Sequence, residues 1–151
     1  MIRVRLHRRP GGAAAKEIVR IARMLVGPWF TANVPADTKR DLLFQEALCL
    51  YLDGRLRSFL VFTSWDGSLH ITLMATHPKY RRRGFGSRQM ERLLHHAARI
   101  GFQQVVALTV PPDVKPGYAE TVAFYNKHGF VESRRYADLW ENDALAMVRT
   151  L

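Results

Sequence analysis

Arg81-Arg82-Arg83-Gly84-Phe85-Gly86-Ser87 stands between two segments of different periodicity, and that junction decides the fold. Ahead of it, residues 69–76 read Leu-His-Ile-Thr-Leu-Met-Ala-Thr, a short apolar run with β-branched side chains and therefore a strand. Behind it, Met90, Leu93, Leu94 and Ala97 fall at i, i+3, i+4 and i+7, the apolar stripe of an amphipathic helix. Between strand and helix lie arginines, glycines and a serine, the composition of an anion cradle. Glycine lets the backbone turn tightly and approach a ligand with no Cβ in the way. The free N–H groups of a new helix then point at a negative group that the helix dipole favours. Arginine adds bidentate contacts to phosphate oxygens.

Two familiar phosphate loops are excluded. The Lys-Ser/Thr of a P-loop is missing, and Gln89 stands where the third glycine of Gly-x-Gly-x-x-Gly belongs. Composition narrows the class further. A chain of 151 residues with 48% hydrophobic content is long enough for one well-packed domain, here expected over residues 1–151. No apolar run reaches the roughly 18 residues of a membrane span, and the arginine-rich first residues carry no apolar signal core. The single cysteine, Cys49, cannot form an internal disulfide and fits a reducing cytoplasm. A formal net charge of +10 favours an anionic partner.

Along the chain, residues 2–6 alternate as an edge strand. Ile18, Ile21, Ala22 and Leu25 mark a helix over 16–26, stopped by Gly27-Pro28. Trp29-Phe30 follow in a loop, and Asp37 is a plausible N-cap for a short second helix through Leu42, Leu43 and Phe44. Strands at 46–52, 56–65 and 69–76 are separated by Asp53-Gly54 and Asp66-Gly67, the preferred pairs for type I′ hairpin turns. Beyond the central helix, Gly101 sits at a C-cap, a strand covers 102–110, and the Pro-rich stretch 111–117 is a loop. A helix over 118–128 ends at Gly129, and strands at 131–136 and 144–150 close the chain, with 140–143 as an exposed connection.

Two motifs in this succession resemble the GNAT superfamily, the acyl-CoA-dependent N-acyltransferases. Arg81, Gly84 and Gly86 match its Gln/Arg-x-x-Gly-x-Gly/Ala signature, and Phe124-Tyr125-Asn126-Lys127-His128-Gly129-Phe130 matches its Phe-Tyr-x-x-x-Gly-Phe element. The resemblance covers roughly the C-terminal half. It implies an α/β (α+β) fold: a mixed, mostly antiparallel central sheet flanked by helices, with its two central strands splayed to admit pantetheine. It also implies acetyl-CoA as co-substrate without a metal. Arg81, Arg82, Arg83, Gly84, Phe85, Gly86 and Ser87 would wrap the pyrophosphate, while the backbone of Met74, Ala75 and Thr76 would take pantetheine and the acyl carbonyl. Trp29 and Phe30 fall in the region that borders the family's acceptor pocket, although core packing accounts for them at least as well.

The resemblance is incomplete in places. Tyr118 and Thr121 stand where many members carry Asn and Ala, so that asparagine's contact is not carried over. His70 stands where a glutamate often acts as general base through water. Histidine suits a base near neutral pH, while an ordinary strand histidine is the competing interpretation. Glu46 and Glu120 are the next carboxylates in line. A primary amine with a pKa of about 10.4 is neutral in only ~1 of 2,500 molecules at pH 7, so deprotonation corresponds to ~4.6 kcal/mol. The leaving thiolate needs a proton or a hydrogen bond, and the family tyrosine at the position of Tyr125 reaches that sulfur. The reading that results is direct acetyl transfer to a primary amine of a small molecule or protein. Its rivals are an inactive acyl-CoA sensor and a nucleic-acid-binding domain, the latter explaining neither glycine. Expected partners are acetyl-CoA and an amine acceptor, with a homodimer allowed and no membrane involved.

Overall fold

In the computed structural model, which describes residues 1–140 and 142–151, seven strands and four helices follow one another. They are β1 (Ile2–His7), α1 (Gly12–Met24), α2 (Val34–Asp41), β2 (Glu46–Leu52), β3 (Arg55–Trp65), β4 (Ser68–Thr76), α3 (Phe85–Ile100), β5 (Gln104–Thr109), α4 (Ala119–Lys127), β6 (Val131–Tyr136) and β7 (Ala144–Thr150). The strands form one sheet in the order β1-β2-β3-β4-β5-β7-β6. Pairings β1–β2, β2–β3, β5–β7 and β6–β7 are antiparallel, and β4–β5 is parallel. The expected mixed, mostly antiparallel sheet with flanking helices is therefore present.

Two compact units divide the chain: Met1–Thr63 with Leu73–Gln89, and Ser64–Thr72 with Met90–Leu151. In the first, Ile18 and Ile21 of α1 and Leu25 at its C-cap share a core with Ala47 and Cys49 of β2 and with Leu56, Phe59 and Val61 of β3. The period of 3.6 on the helix and of 2 on the strands brings these side chains to one core. Cys49 is fully buried there, and burial pushes its thiol up to about 12. Both Asp-Gly turns form as expected: Asp53 and Gly54 have φ of +50° and +82°, Asp66 and Gly67 of +51° and +75°.

In the second unit the stripe of α3 is inward, with Met90, Leu93 and Ala97 buried. The parallel ladder joins Ser68–Ile71 of β4 to Gln104–Ala107 of β5 and ends there, although both strands continue. Arg135 on β6 binds Asp113 through both terminal nitrogens, at 2.9 and 2.8 Å, and Asp143 through Nε at 2.8 Å. Tyr125 of α4 packs its ring against Phe124 and Phe130.

Several boundaries differ from expectation. Helix α1 begins at Gly12, ahead of the expected 16–26, because Ala13, Ala14 and Ala15 are strong helix formers that carry no apolar periodicity of their own. Helix α2 starts at Val34, with Pro35 in its first turn, so Asp37 is inside the helix rather than its cap. The Asp37 carboxylate instead receives Asn33 Nδ2 at 2.7 Å and pairs with Arg40. Leu43 and Phe44 lie past that helix and are exposed. Strand β5 is shorter than expected at both ends, and Pro116–Tyr118 forms a 3-10 turn across the expected end of the loop at 117 and start of the helix at 118. Of the expected connection 140–143, Trp140 and Asn142 are exposed, and Glu141 lies outside the described residues.

Candidate active site

The sequence-predicted anion loop is assembled within the first unit. A 3-10 turn, Pro78–Tyr80, is capped by His77, whose Nδ1 accepts from Lys79 N at 3.2 Å. The chain then leaves extended at Arg81, enters left-handed φ at Arg82 (+63°) and Gly84 (+77°), and begins α3 at Phe85. Gly84 is the position that needs glycine. A side chain there would be strained whatever room surrounds it. Gly84 O accepts from Arg88 N at 3.0 Å, so the first turn of α3 is closed directly behind the loop. Helix α3 carries no acidic residue in that turn. No carboxylate of that turn therefore answers the positive end of the helix dipole.

The arginines are held by aromatic rings. Arg81 Cζ lies 4.5 Å from the centroid of the Trp29 ring, and Arg83 Cζ 4.9 Å from that of Tyr80. Arg57, from β3, stands over the same Tyr80 ring at 4.4 Å. Trp29 and Phe30 are partly buried and pack on the core of the first unit, as the plainer interpretation held. Trp29 also acts as the platform for Arg81. Buried Phe85 anchors the start of α3, while Gly86 and Ser87 are partly exposed.

Below the loop lies a polar network that the sequence did not disclose. Gln89 and Ser58 are both fully buried. Ser58 Oγ donates to Gln89 Oε1 at 2.6 Å, contacts Thr76 Oγ1 at 2.8 Å and lies 3.2 Å from the Ala75 carbonyl oxygen. Gln89 Nε2 donates to Leu48 O at 2.9 Å. The absent third glycine was thus the visible trace of a side chain that ties α3 to β2 and β3. His77 N donates to Arg57 O at 2.7 Å. Backbone groups alternate along a strand, so those of Ala75 share the β3-facing side with His77, and those of Met74 and Thr76 point away from β3.

The two predicted catalytic side chains lie in the second unit, on different elements. Tyr125 is 5% exposed, and burial, with a smaller contribution from Tyr118, pushes its phenol up to about 12. It is therefore a neutral hydroxyl at pH 7. His70 stacks flat on Trp65, with ring centroids 3.5 Å apart and planes 6° from parallel. Its Nε2 is buried without a hydrogen-bond partner, and burial lowers its pKa below the ordinary 6.5. The imidazole is thus neutral at pH 7 and can accept a proton. Glu46 is partly buried on β2, and Glu120 is exposed in the first turn of α4. Among the described residues, no three His, Cys, Asp or Glu side chains are grouped to hold a metal, and no helix is long and apolar enough to cross a membrane.

The model of the Acetyltransferase (GNAT) family matches residues 16–130. No curated protein sequence matches the chain. Solved structures do. The ribosomal-protein-S18-alanine N-acetyltransferase of Escherichia coli superposes with a TM-score of 0.80 at 15% identity, covering 99% of this chain and 94% of that one. A GNAT family acetyltransferase of Elizabethkingia anophelis, solved with acetyl-CoA bound, gives 0.78 at 14% identity, covering 99% and 98%. Ard1 of Thermoplasma volcanium gives 0.74 at 21% identity, covering 99% and 97%. At such low identities the superpositions establish a shared fold alone.

Proposed function

We propose, from the premise that this chain belongs to the acetyltransferase (GNAT) family, that it transfers an acetyl group from acetyl-CoA directly to a primary amine of a small molecule or protein. The observation that carries the reading is the junction of β4 and α3. There a left-handed Gly84 opens a helix whose first turn holds no acidic residue, beside arginines stacked on Trp29 and Tyr80. The Elizabethkingia anophelis neighbour, with acetyl-CoA bound, supports the same choice of co-substrate.

In this reading the amides of residues 85–87 and the guanidinium groups of Arg81 and Arg82 take the pyrophosphate. The amides of Met74 and Thr76, turned away from β3, take the thioester carbonyl and the negative charge that grows on it during attack. Tyr125 donates a hydrogen bond to the departing thiolate. A phenol near 12 gives its proton to a thiolate of pKa about 8.5 only at a cost of about 5 kcal/mol. Tyr125 thus stabilises the charge as a donor, and solvent or the ammonium supplies the proton. Neutral His70 takes the amine proton, directly or through water.

The test is release of free coenzyme A thiol from acetyl-CoA over a panel of polyamines, amino acids, aminoglycosides and peptides. Acceptor-dependent release is the expected result. Tight binding of acetyl-CoA with no release across the whole panel would overturn transfer to an amine as the function.

A further inference from the structure

Arg57 is an unusual residue for its place. It sits on β3 and is partly buried, and its Nε is enclosed with no hydrogen-bond partner. Buried donors are almost always satisfied, so such an atom calls for an occupant. No carboxylate among the described residues forms an ion pair with Arg57 or with Arg83. Both guanidinium groups nevertheless gather on one ring, at 4.4 and 4.9 Å from the centroid of Tyr80, and His77 meets that ring edge-on at 5.2 Å. Lys79 and Arg20 add to the positive field felt at His77, opposed by Glu17 alone. Like charges gathered with no carboxylate paired to either arginine among the described residues, around an unsatisfied donor, form a receptor for a compact multivalent anion. A guanidinium set over a ring uses its face, so terminal N–H donors remain for contact with an anion.

We propose that Arg57 and Arg83, arranged on Tyr80, bind the phosphate monoester that coenzyme A carries on its ribose, a subsite separate from the helix amides that take the diphosphate. The inference rests on acetyl-CoA as co-substrate. Two arguments favour this anion over the carboxylate of an acceptor. Arg83 directly precedes Gly84, so the cluster adjoins the diphosphate site along the chain, and in coenzyme A the monoester is separated from the diphosphate by a single ribose. A phosphate monoester also carries up to two charges and three acceptor oxygens, enough to engage both arginines at once.

The experiment is calorimetric titration of the whole protein with coenzyme A and with 3′-dephospho-coenzyme A. Wild type should bind the phosphorylated form about 10- to 100-fold more tightly, the span expected of charge-assisted hydrogen bonds. Arg57→Met should erase most of that preference and leave the affinity for the dephospho form unchanged, which also shows that the variant is folded. Arg83→Met, at an exposed position, should reduce the preference too, and it decides the matter if Arg57→Met does not fold. Equal affinity of wild type for the two ligands overturns the subsite while leaving acetyl-CoA as co-substrate. A preference that survives both substitutions does the same. Failure of wild type to bind either ligand removes the co-substrate reading and the subsite with it.

Discussion

Ser58→Ala should cost about 2 kcal/mol in the protein as it stands and close to nothing once Gln89 has become leucine. The hydroxyl of Ser58 gives Gln89 Oε1 a bond of 2.6 Å at a position where both residues are fully buried. Deleting it leaves that oxygen enclosed with no donor, a penalty of about 1–3 kcal/mol. Thr76 Oγ1, 2.8 Å from Ser58, is partly exposed and recovers its lost contact from water. The same deletion after Gln89→Leu strands no oxygen, because none remains at that position. Gln89→Leu alone should cost about 1–2 kcal/mol, since Leu48 O loses the amide 2.9 Å away while Ser58 keeps Thr76 and falls back on Ala75 O at 3.2 Å. The four proteins form a cycle with a coupling of about 1–2 kcal/mol. Urea unfolding measures it, and Ser58→Ala alone should lower the melting temperature by roughly 4–8 °C for a chain of this size. Costs that add to within about 0.5 kcal/mol would refute the network as described.

Tyr125→Phe keeps the ring against Phe124 and Phe130, so acetyl-CoA affinity should hold within about twofold while turnover falls on the order of 10²-fold; an undiminished turnover removes the role given to its hydroxyl. Gly84→Glu places a strained side chain and a negative charge at the mouth of α3, and calorimetry should find no acetyl-CoA binding to a folded protein. His70→Ala should lower turnover with little change in acetyl-CoA affinity. Because burial lowers the pKa of His70, the wild-type rate should rise with pH through a limb centred below 6.5 and that limb should vanish in the variant; an unaltered profile returns His70 to a packing role.

What the sequence conveyed well was whatever depends on near neighbours. Strands β2, β6 and β7 have the expected bounds because alternation and Asp-Gly or loop punctuation are local signals. The anion loop was legible for the same reason, since its glycines, arginines and flanking elements adjoin in the chain. Helix α2 was misjudged at its start because Asn33-Val34-Pro35 competes with Asp37 as an initiation signal, and the proline in the first turn prevailed. The residues that support the site were not legible at all. Arg57 reads as one more charge in an alternating strand, and only β3 lying alongside the turn before α3 brings it to Tyr80. Gln89 reads as a missing glycine, whereas its meaning depends on Ser58 and on Leu48, 31 and 41 positions away. His70 could be placed on a strand, but not under the indole of Trp65.

The burial of Cys49 makes the molecule its own stopwatch. The chain has one cysteine, enclosed in the core of the first unit, with a thiol that ionises only near 12. A thiol-specific dye reacts with thiolate and so finds nothing to label in the native state. Each modification event must wait for β2 and α1 to part. Labelling under native conditions therefore counts excursions of that unit alone, without denaturant and without an engineered probe. When opening and reclosing are fast relative to labelling, the rate follows the population of the open form. Adding coenzyme A would then show directly whether occupancy of the loop at Gly84 slows the opening of strands that carry no phosphate contact.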